Sequence, residues 1–153
     1  MQNHYNLVYR EEEREMIPQC IDQGVGVVPW SPLARGMLAG NRTRGGERLT
    51  TRAGSDQFTD YLYDQPTDFD VVERVAEVAA ERKVTPAQIA LAWVLQRPGI
   101  TAPIVGATKQ SHLTDALAAE GLRLTEDEVA RLEKPYVPVS YTHLDVYKRQ
   151  PRW

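Results

Sequence analysis

The stretch VGVVPWSPLARG, residues 25–36, decides the fold. Its first five residues form a short apolar run with β-branched side chains and no helical period, which predicts a buried strand of the parallel kind. The preceding residues, 11–23, have the pattern of an amphipathic helix that ends at a glycine. Its apolar stripe consists of Met16, Ile17, Cys20 and Ile21.

The alternation of helix and strand continues toward the C-terminus. Residues 36–66 are rich in Gly, Arg, Thr and Asp and are predicted to form a long loop. Helices are then predicted over residues 69–82 and 85–98, the second opened by a capping box at Thr85. A short apolar strand over 100–105 leads into a helix that carries Leu113 and Leu117 and stops at Gly121. A second capping box, in the stretch LTEDEV (124–129), opens a final helix.

This order of elements is typical of parallel strands joined by right-handed crossovers. The pattern leaves a doubly wound sheet and part of a barrel as the two α/β alternatives. On the helix at 69–82 one face is expected to be buried, formed by Phe69, Val72, Val75, Ala76 and Ala79.

Composition excludes several classes of partner. The chain has 153 residues, a net charge of -3 and 42% hydrophobic residues, so it lacks the basic field that nucleic acid or an anionic membrane attracts. A single cysteine, Cys20, permits no internal disulfide and fits a reducing cytosol. The first residues are polar and then acidic, unlike a secretory signal, and no apolar run reaches a membrane span. We expect a cytoplasmic protein that binds neither nucleic acid nor a membrane.

Polar and aromatic groups follow each predicted strand, where ligands bind in α/β folds. Trp30 offers a flat face for a ring, and Gly36 permits close approach of a phosphate; the alternative is a core tryptophan in an ordinary proline turn. Residues 106–112 (GATKQSH) offer backbone N–H groups and cations for an anion. The alternative there is a capped helix start with solvated Lys109 and His112.

Two further features are interpreted as structural. His4 has no serine, cysteine or carboxylate at a triad or metal spacing, and three histidines are too few for a metal cluster, so no metal site is expected. Glu11, Glu12 and Glu13 are interpreted as a solvated helix start that complements the helix dipole.

Five motifs taken together resemble the aldo-keto reductases, especially the branch related to potassium-channel beta subunits. They are QNHYN (2–6), YREEERE (9–15), PWSPLARG (29–36), TPAQIALAW (85–93) and VGATK (105–109). The resemblance covers residues 1–137 and implies a (β/α)8 TIM barrel, of which this chain would be the C-terminal part, about strands six to eight. It also implies hydride transfer between NADP(H) and an aldehyde or ketone.

The resemblance implies a role for each matching residue. Gln2 would hold the nicotinamide amide, and Trp30 would stack on the nicotinamide ring. Ser31, Leu33 and Gly36 would line the pyrophosphate. Along the adenosine and its 2′-phosphate would lie Gly106, Thr108 and His112. Arg52, in the long loop, would close over the phosphates.

The sequence also departs from the family pattern. Ala116 stands where many relatives have an asparagine that reaches the adenine. The family's catalytic tyrosine, aspartate, lysine and histidine would precede Met1, so no residue is assigned as catalytic and the chain is expected to be inactive alone. Two alternatives to the reductase stay open: a non-catalytic subunit that senses bound cofactor, and an inert product of a damaged gene.

The last residues have a different origin. PVSYTHLDVYKRQ, residues 138–150, can be encoded by an inverted DNA repeat that looks like two transposon ends used in preparing sequencing libraries. We expect residues 138–153 to be an artefactual, disordered tail and the native sequence to be interrupted near Pro138.

Overall fold

The computed structural model describes residues 1–42, 44, 62–63 and 65–138. Expectations for Arg52 and for the tail beyond residue 138 lie outside these residues. Within them, the α-helices are α1 (Met16–Asp22), α2 (Pro66–Arg82), α3 (Pro86–Leu95), α4 (Gln110–Glu120) and α5 (Glu126–Glu133). Short 3-10 helices cover Glu11–Glu13 and Ala34–Ala39.

The predicted helix over residues 11–23 is divided in the structure. A 3-10 turn at Glu11–Glu13 is followed by α1, which begins only at Met16. Pro18 explains the later start, because a proline fits in the first turn of a helix, where the backbone N–H has no helical acceptor. Ile17 and Cys20 are buried as predicted, whereas Ile21 is 51% exposed.

The capping signals define the helix starts well. Thr85 Oγ1 accepts a hydrogen bond from Gln88 N (3.3 Å), and Gln88 Oε1 accepts one from Thr85 N (3.0 Å). The same reciprocal pair joins Thr125 and Glu128 at the start of α5. Helix α2 begins at Pro66, three residues before the predicted start at Phe69, because proline suits the first helical position and Asp68 accepts from Gln65 N (3.1 Å).

The buried face of α2 agrees in part with the prediction. Val75 and Ala79 are buried as expected, and Phe69 and Val72 are partly buried against the core, but Ala76 is exposed. Val71 and Val78 are buried as well. On α4, Leu113 and Leu117 are 45% and 63% exposed, and Ala119 is the buried residue. The reason is packing: α4 contacts α3, and the residues of α4 that are buried or half-buried are Asp115, Ala116 and Ala119.

Three extended segments lie side by side in parallel: residues 1–4, 25–30 and 99–104. Segment 25–30 is in the middle, since Val28 N and Trp30 N donate to the carbonyls of Met1 and Asn3, and Thr101 N and Ile104 N donate to those of Val27 and Pro29. Among the described residues these contacts form isolated bridges, not the continuous strands predicted over 25–29 and 100–105. Val27 is fully buried, but Val25 and Ile104 are 44% and 43% exposed, which corrects the expectation of wholly buried strands.

Helix α3 is the centre of the core. Six consecutive residues, Ile89 to Val94, are buried, and the helix packs against α2, α4 and the turn Ala34–Ala39. Side chains from the first ten residues, among them Tyr5 and Leu7, join the same cluster. In the described part of the chain, no helix combines the length and apolar character needed to cross a membrane.

Candidate functional site

The three extended segments bring several predicted site residues to one edge. Trp30 ends the middle segment and forms a parallel bridge with His4, so Gln2 lies on the neighbouring segment. On the other side, the hydrogen bond from Ile104 N to Pro29 O (2.8 Å) leads the chain directly into Gly106 and Thr108. The carboxyl ends of all three segments therefore meet, which is the arrangement in which α/β folds bind ligands.

Trp30 belongs to a stack of aromatic rings. Its ring lies 4.1 Å from that of His4, with 13° between the planes, and the opposite face of His4 stacks on Tyr9 at 4.2 Å and 15°. Trp30 itself is half-buried. The expected structural role of His4 thus takes a definite form: it is the middle ring of the stack.

A buried polar cluster holds the histidine in place. His4 Nε2 is 2.5 Å from the Tyr63 hydroxyl, and Asn6 Nδ2 donates to that same hydroxyl (3.1 Å) and to the Ser31 carbonyl (2.9 Å). Burial lowers the pKa of His4 to about 4 and, as the main effect, raises that of Tyr63. At neutral pH both side chains are uncharged.

The turn after Trp30 has an unusual backbone. Ser31, Ala34 and Arg35 all have positive φ angles, of 53°, 47° and 55°, and Gly36 has a φ of 96°. A Cβ on Gly36 would lie 2.4 Å from Asn41 Nδ2, so this glycine has a local packing reason in addition to its conformation. Leu33 is half-buried and packs against the core. Strained backbone of this kind is frequent at binding sites.

The third part of the edge is open to solvent. Gly106, Thr108, Lys109 and His112 are all exposed, and α4 begins directly after Lys109. Among the described residues, no acceptor is hydrogen-bonded to the backbone N–H groups of residues 106–109. Free N–H groups before a helix start, with two basic side chains beside them, suit an anion. Ala116 lies further along the same helix.

Sequence reasoning missed three members of the site: Asn6, Tyr9 and Tyr63. Asn6 and Tyr9 lie in the motifs QNHYN (2–6) and YREEERE (9–15), but a motif does not show which side chains are in contact. Tyr63 lies within residues 36–66, where a loop is predicted, and contacts His4, from which it is separated by 59 positions in the sequence. No local sequence pattern predicts a contact between residues so far apart in the chain.

The expectation that Glu11, Glu12 and Glu13 are simply solvated was wrong. Asn3 donates to Glu12, the Tyr136 hydroxyl to Glu11, and Arg10 and Tyr5 to Glu13. Burial alone would raise the pKa of Glu13, but the hydrogen bonds from Arg10 and Tyr5 hold it below its ordinary value. The contact between Tyr136 and Glu11 joins the N-terminal segment to the residues after α5, and the other contacts lie within the N-terminal segment.

A separate depression of ≈ 490 Å³ lies beside this network, lined by residues that include Arg10, Glu13, Glu133 and Tyr136. Arg10 forms ion pairs with Glu13 (2.8 Å) and Glu133 (3.1 Å), and its guanidinium stacks on the rings of Trp93 and Tyr136. Because these groups satisfy one another, the depression is a structural junction and not a second candidate site.

Comparison with families of known proteins identifies the chain. The sequence model of the aldo/keto reductase family matches residues 1–136. The chain belongs to the aldo/keto reductase family. Aldo/keto reductases generally use NAD(P)H and act on small-molecule carbonyl compounds, and the family implies a (β/α)8 barrel, of which the described residues show a small, mostly helical part.

Similar aldo/keto reductases occur in fungi. The chain is 42% identical over 141 residues to versiconal hemiacetal acetate reductase of Aspergillus parasiticus. It is 45% identical over 139 residues to an aldo-keto reductase of Fusarium vanettenii and 41% identical over 138 residues to one of Alternaria alternata. The matches cover 90%, 90% and 89% of this chain but 40%, 36% and 36% of the respective relatives. The chain thus spans well under half the length of these relatives.

Proposed function

We propose that this chain is the C-terminal, cofactor-binding part of an NADP(H)-dependent aldo/keto oxidoreductase. The domain would cover residues 1–137, with segments 1–4, 25–30 and 99–104 as the sixth to eighth strands of the barrel. Residues 138–153 would be a foreign tail. The reaction of the whole enzyme would be hydride transfer between a nicotinamide and an aldehyde or ketone in the cytoplasm.

The observation that carries this proposal is the meeting of three kinds of groups at one edge. A primary amide (Gln2), an indole face (Trp30) and the segment 106–112 with its basic side chains follow one another across the paired segments. In that segment the N–H groups of residues 106–109 have no acceptor among the described residues. This donor set fits a nicotinamide dinucleotide: an amide for the carboxamide, a ring for a ring, and N–H groups and cations for phosphates.

Each residue would then contribute binding or orientation. The Gln2 amide would hydrogen-bond the carboxamide, and Trp30 would stack on the ring, which supplies the hydride when bound. The turn containing Ser31, Leu33 and Gly36 would line the pyrophosphate. Gly106, Thr108 and His112 would hold the adenosine and its 2′-phosphate, with Arg52 closing over the phosphates.

We further propose that the chain does not catalyse the reaction alone. The family's acid is a tyrosine, and burial is the main cause that raises the pKa of both tyrosines of the candidate site, Tyr9 and Tyr63. Both are therefore poor proton donors to a carbonyl. A purified chain that steadily oxidised NADPH in the presence of an aldehyde, in a manner abolished by Trp30→Ala, would contradict this part of the proposal.

Cofactor binding is the direct test. Titration of the purified chain with NADPH and with NADH, followed by NADPH fluorescence or calorimetry, is expected to show saturable binding that favours NADPH. The double variant Lys109→Ala/His112→Ala should weaken NADPH binding about tenfold, which is about 1.4 kcal/mol, with little effect on NADH. Lys134→Ala, an exposed lysine after α5, is the matched control and should change neither. Equal loss for both cofactors would argue against a 2′-phosphate site.

A further inference from the structure

One face of Trp30 is already occupied by another ring of the chain. His4 covers it at 4.1 Å and 13°, and Tyr9 in turn covers His4, so the histidine ring lies between two other aromatic rings. The backbone repeats the constraint, since Trp30 N donates to Asn3 O (2.9 Å), the carbonyl next to His4. Among the described residues, no second ring stacks on Trp30, so its face opposite His4 is the one available to another flat ring.

The residue after Trp30 is fixed from the same short piece of chain. Asn6 is fully buried, and its side chain bonds the Ser31 carbonyl (2.9 Å), the Tyr63 hydroxyl (3.1 Å) and Val8 N (3.0 Å). Ser31 has a φ of 53°, a conformation that costs energy and needs such support. Asn6 therefore holds the backbone of Ser31, and His4 holds the ring of Trp30.

We propose that His4 and Asn6 are positioning residues that fix the free face of Trp30 before a nicotinamide ring binds against it. This inference rests on the proposed function. Ordering a side chain on binding costs free energy, so a ring that is already ordered binds more tightly than one that must first be immobilised. The effect belongs to the nicotinamide half of the cofactor, because the adenosine half lies along residues 106–112.

Because the expected effect is confined to the nicotinamide half of the cofactor, it can be distinguished from a general structural role of His4. The full chain and its variants are titrated with NADPH and with adenosine 2′,5′-bisphosphate, which lacks the nicotinamide. His4→Ala should weaken NADPH binding about tenfold and leave the bisphosphate affinity within about twofold. His4→Phe, which keeps a flat ring in the stack, should restore most of the NADPH affinity. An equal loss for both ligands, or no loss for either, would overturn the proposal.

A second measurement needs no cofactor. The chain is labelled with 5-fluorotryptophan, and the ¹⁹F resonance of Trp30 is assigned with Trp30→Phe. His4→Ala should shift and broaden that resonance, because the ring current and the packing of the stack are lost. The resonance of buried Trp93 should stay in place and report an intact core. His4→Phe should leave both narrow.

The two measurements distinguish the proposed function, cofactor binding, from the positioning role of His4. If the chain binds neither NADPH nor the bisphosphate, the proposed function fails, and the ¹⁹F spectra still decide whether His4 holds Trp30. If Trp30 remains narrow and unshifted in His4→Ala with Trp93 unchanged, the positioning role is wrong even where NADPH binds. Asn6→Ala should reproduce the Trp30 change, and an unaltered Trp30 signal there would remove Asn6 from the proposal.

Discussion

His4 couples stability to pH because its ring is buried in an uncharged state. Burial places its pKa at about 4 in the folded chain, against about 6.5 when unfolded. Between these values the unfolded chain binds more protons, so stability is lost as the pH falls from about 6.5 toward 4. The loss should reach about 2 kcal/mol, allowing for solvent at the edge of the ring.

Urea unfolding at pH 7 and at pH 4.5 measures this effect. The midpoint should fall at the lower pH in the unmodified chain, and His4→Phe should remove a large part of the fall. His112→Gln, at an exposed position, should leave the pH dependence unaltered. If the fall persists undiminished in His4→Phe, another group is responsible.

Gly36 is a glycine at which an added methyl group should be costly. Its φ of 96° disfavours any L side chain, and the new Cβ would meet Asn41. Gly36→Ala should lower the free energy of unfolding by about 1–2 kcal/mol. At Gly121 the φ is -81° and the nearest foreign atom is 4.0 Å away, so Gly121→Ala should be close to neutral. Thermal denaturation of both variants compares the two sites.

At the scale of single elements, α5 depends on the carboxylate of Glu128. This side chain caps Thr125 N and also pairs with Arg82, whose hydrogen bond is the main reason that the pKa of Glu128 is lowered to about 2. Glu128→Ala should destabilise the chain by about 1–2 kcal/mol. Glu126→Ala, in the same turn but without these partners, should cost less than about 0.5 kcal/mol.

The sign of the pH effect follows from the lowered pKa. Above about pH 4.5 the folded and unfolded forms are both ionised, and the stabilisation is complete. It is lost as the pH falls toward 2, where Glu128 becomes protonated. The difference in unfolding midpoint between Glu128→Ala and the unmodified chain should therefore shrink over this range. A difference that stays constant would show that the cap alone, without the charge, accounts for the stabilisation.

Elements were predictable from sequence where the signal is local. The capping boxes at Thr85 and Thr125 place two helix starts, since both partners lie within four residues. The burial of a face was less predictable, because it depends on what packs there. Leu113 and Leu117 have the right spacing for a core face but are 45% and 63% exposed. The candidate site divides in the same way: Trp30 is evident in its motif, whereas Tyr63, which contacts His4 and Asn6, is not.

At the scale of the whole molecule, Arg10 links parts of the chain that are far apart in sequence. It pairs with Glu13 and with Glu133 on α5, and it stacks on Trp93 of α3 and on Tyr136. Arg10→Ala should destabilise the chain by about 2–3 kcal/mol, because it leaves two half-buried carboxylates without this partner and uncovers two rings. Arg14→Ala removes an ion pair at a more exposed arginine and should cost less than about 1 kcal/mol.

Chemical denaturation of the two arginine variants side by side gives the comparison. The Arg10→Ala transition should remain cooperative, with an earlier midpoint, since the apolar cluster around α3 is intact. Equal midpoints for the two variants would mean that the junction at Arg10 contributes little to holding the parts together.

Because segment 25–30 is paired on both sides, ligand binding at this edge is coupled to folding. Its two neighbours come from the start of the chain and from beyond α3, so the edge that carries Gln2, Trp30 and Gly106 exists only when remote pieces have docked together. The helices α2, α3 and α4, by contrast, touch their neighbours in sequence and can assemble early. A ligand that binds across this edge would stabilise the docked arrangement of the three segments, which forms in the last step of folding. At a hundred times its dissociation constant it would add about 2.7 kcal/mol to the stability of the chain.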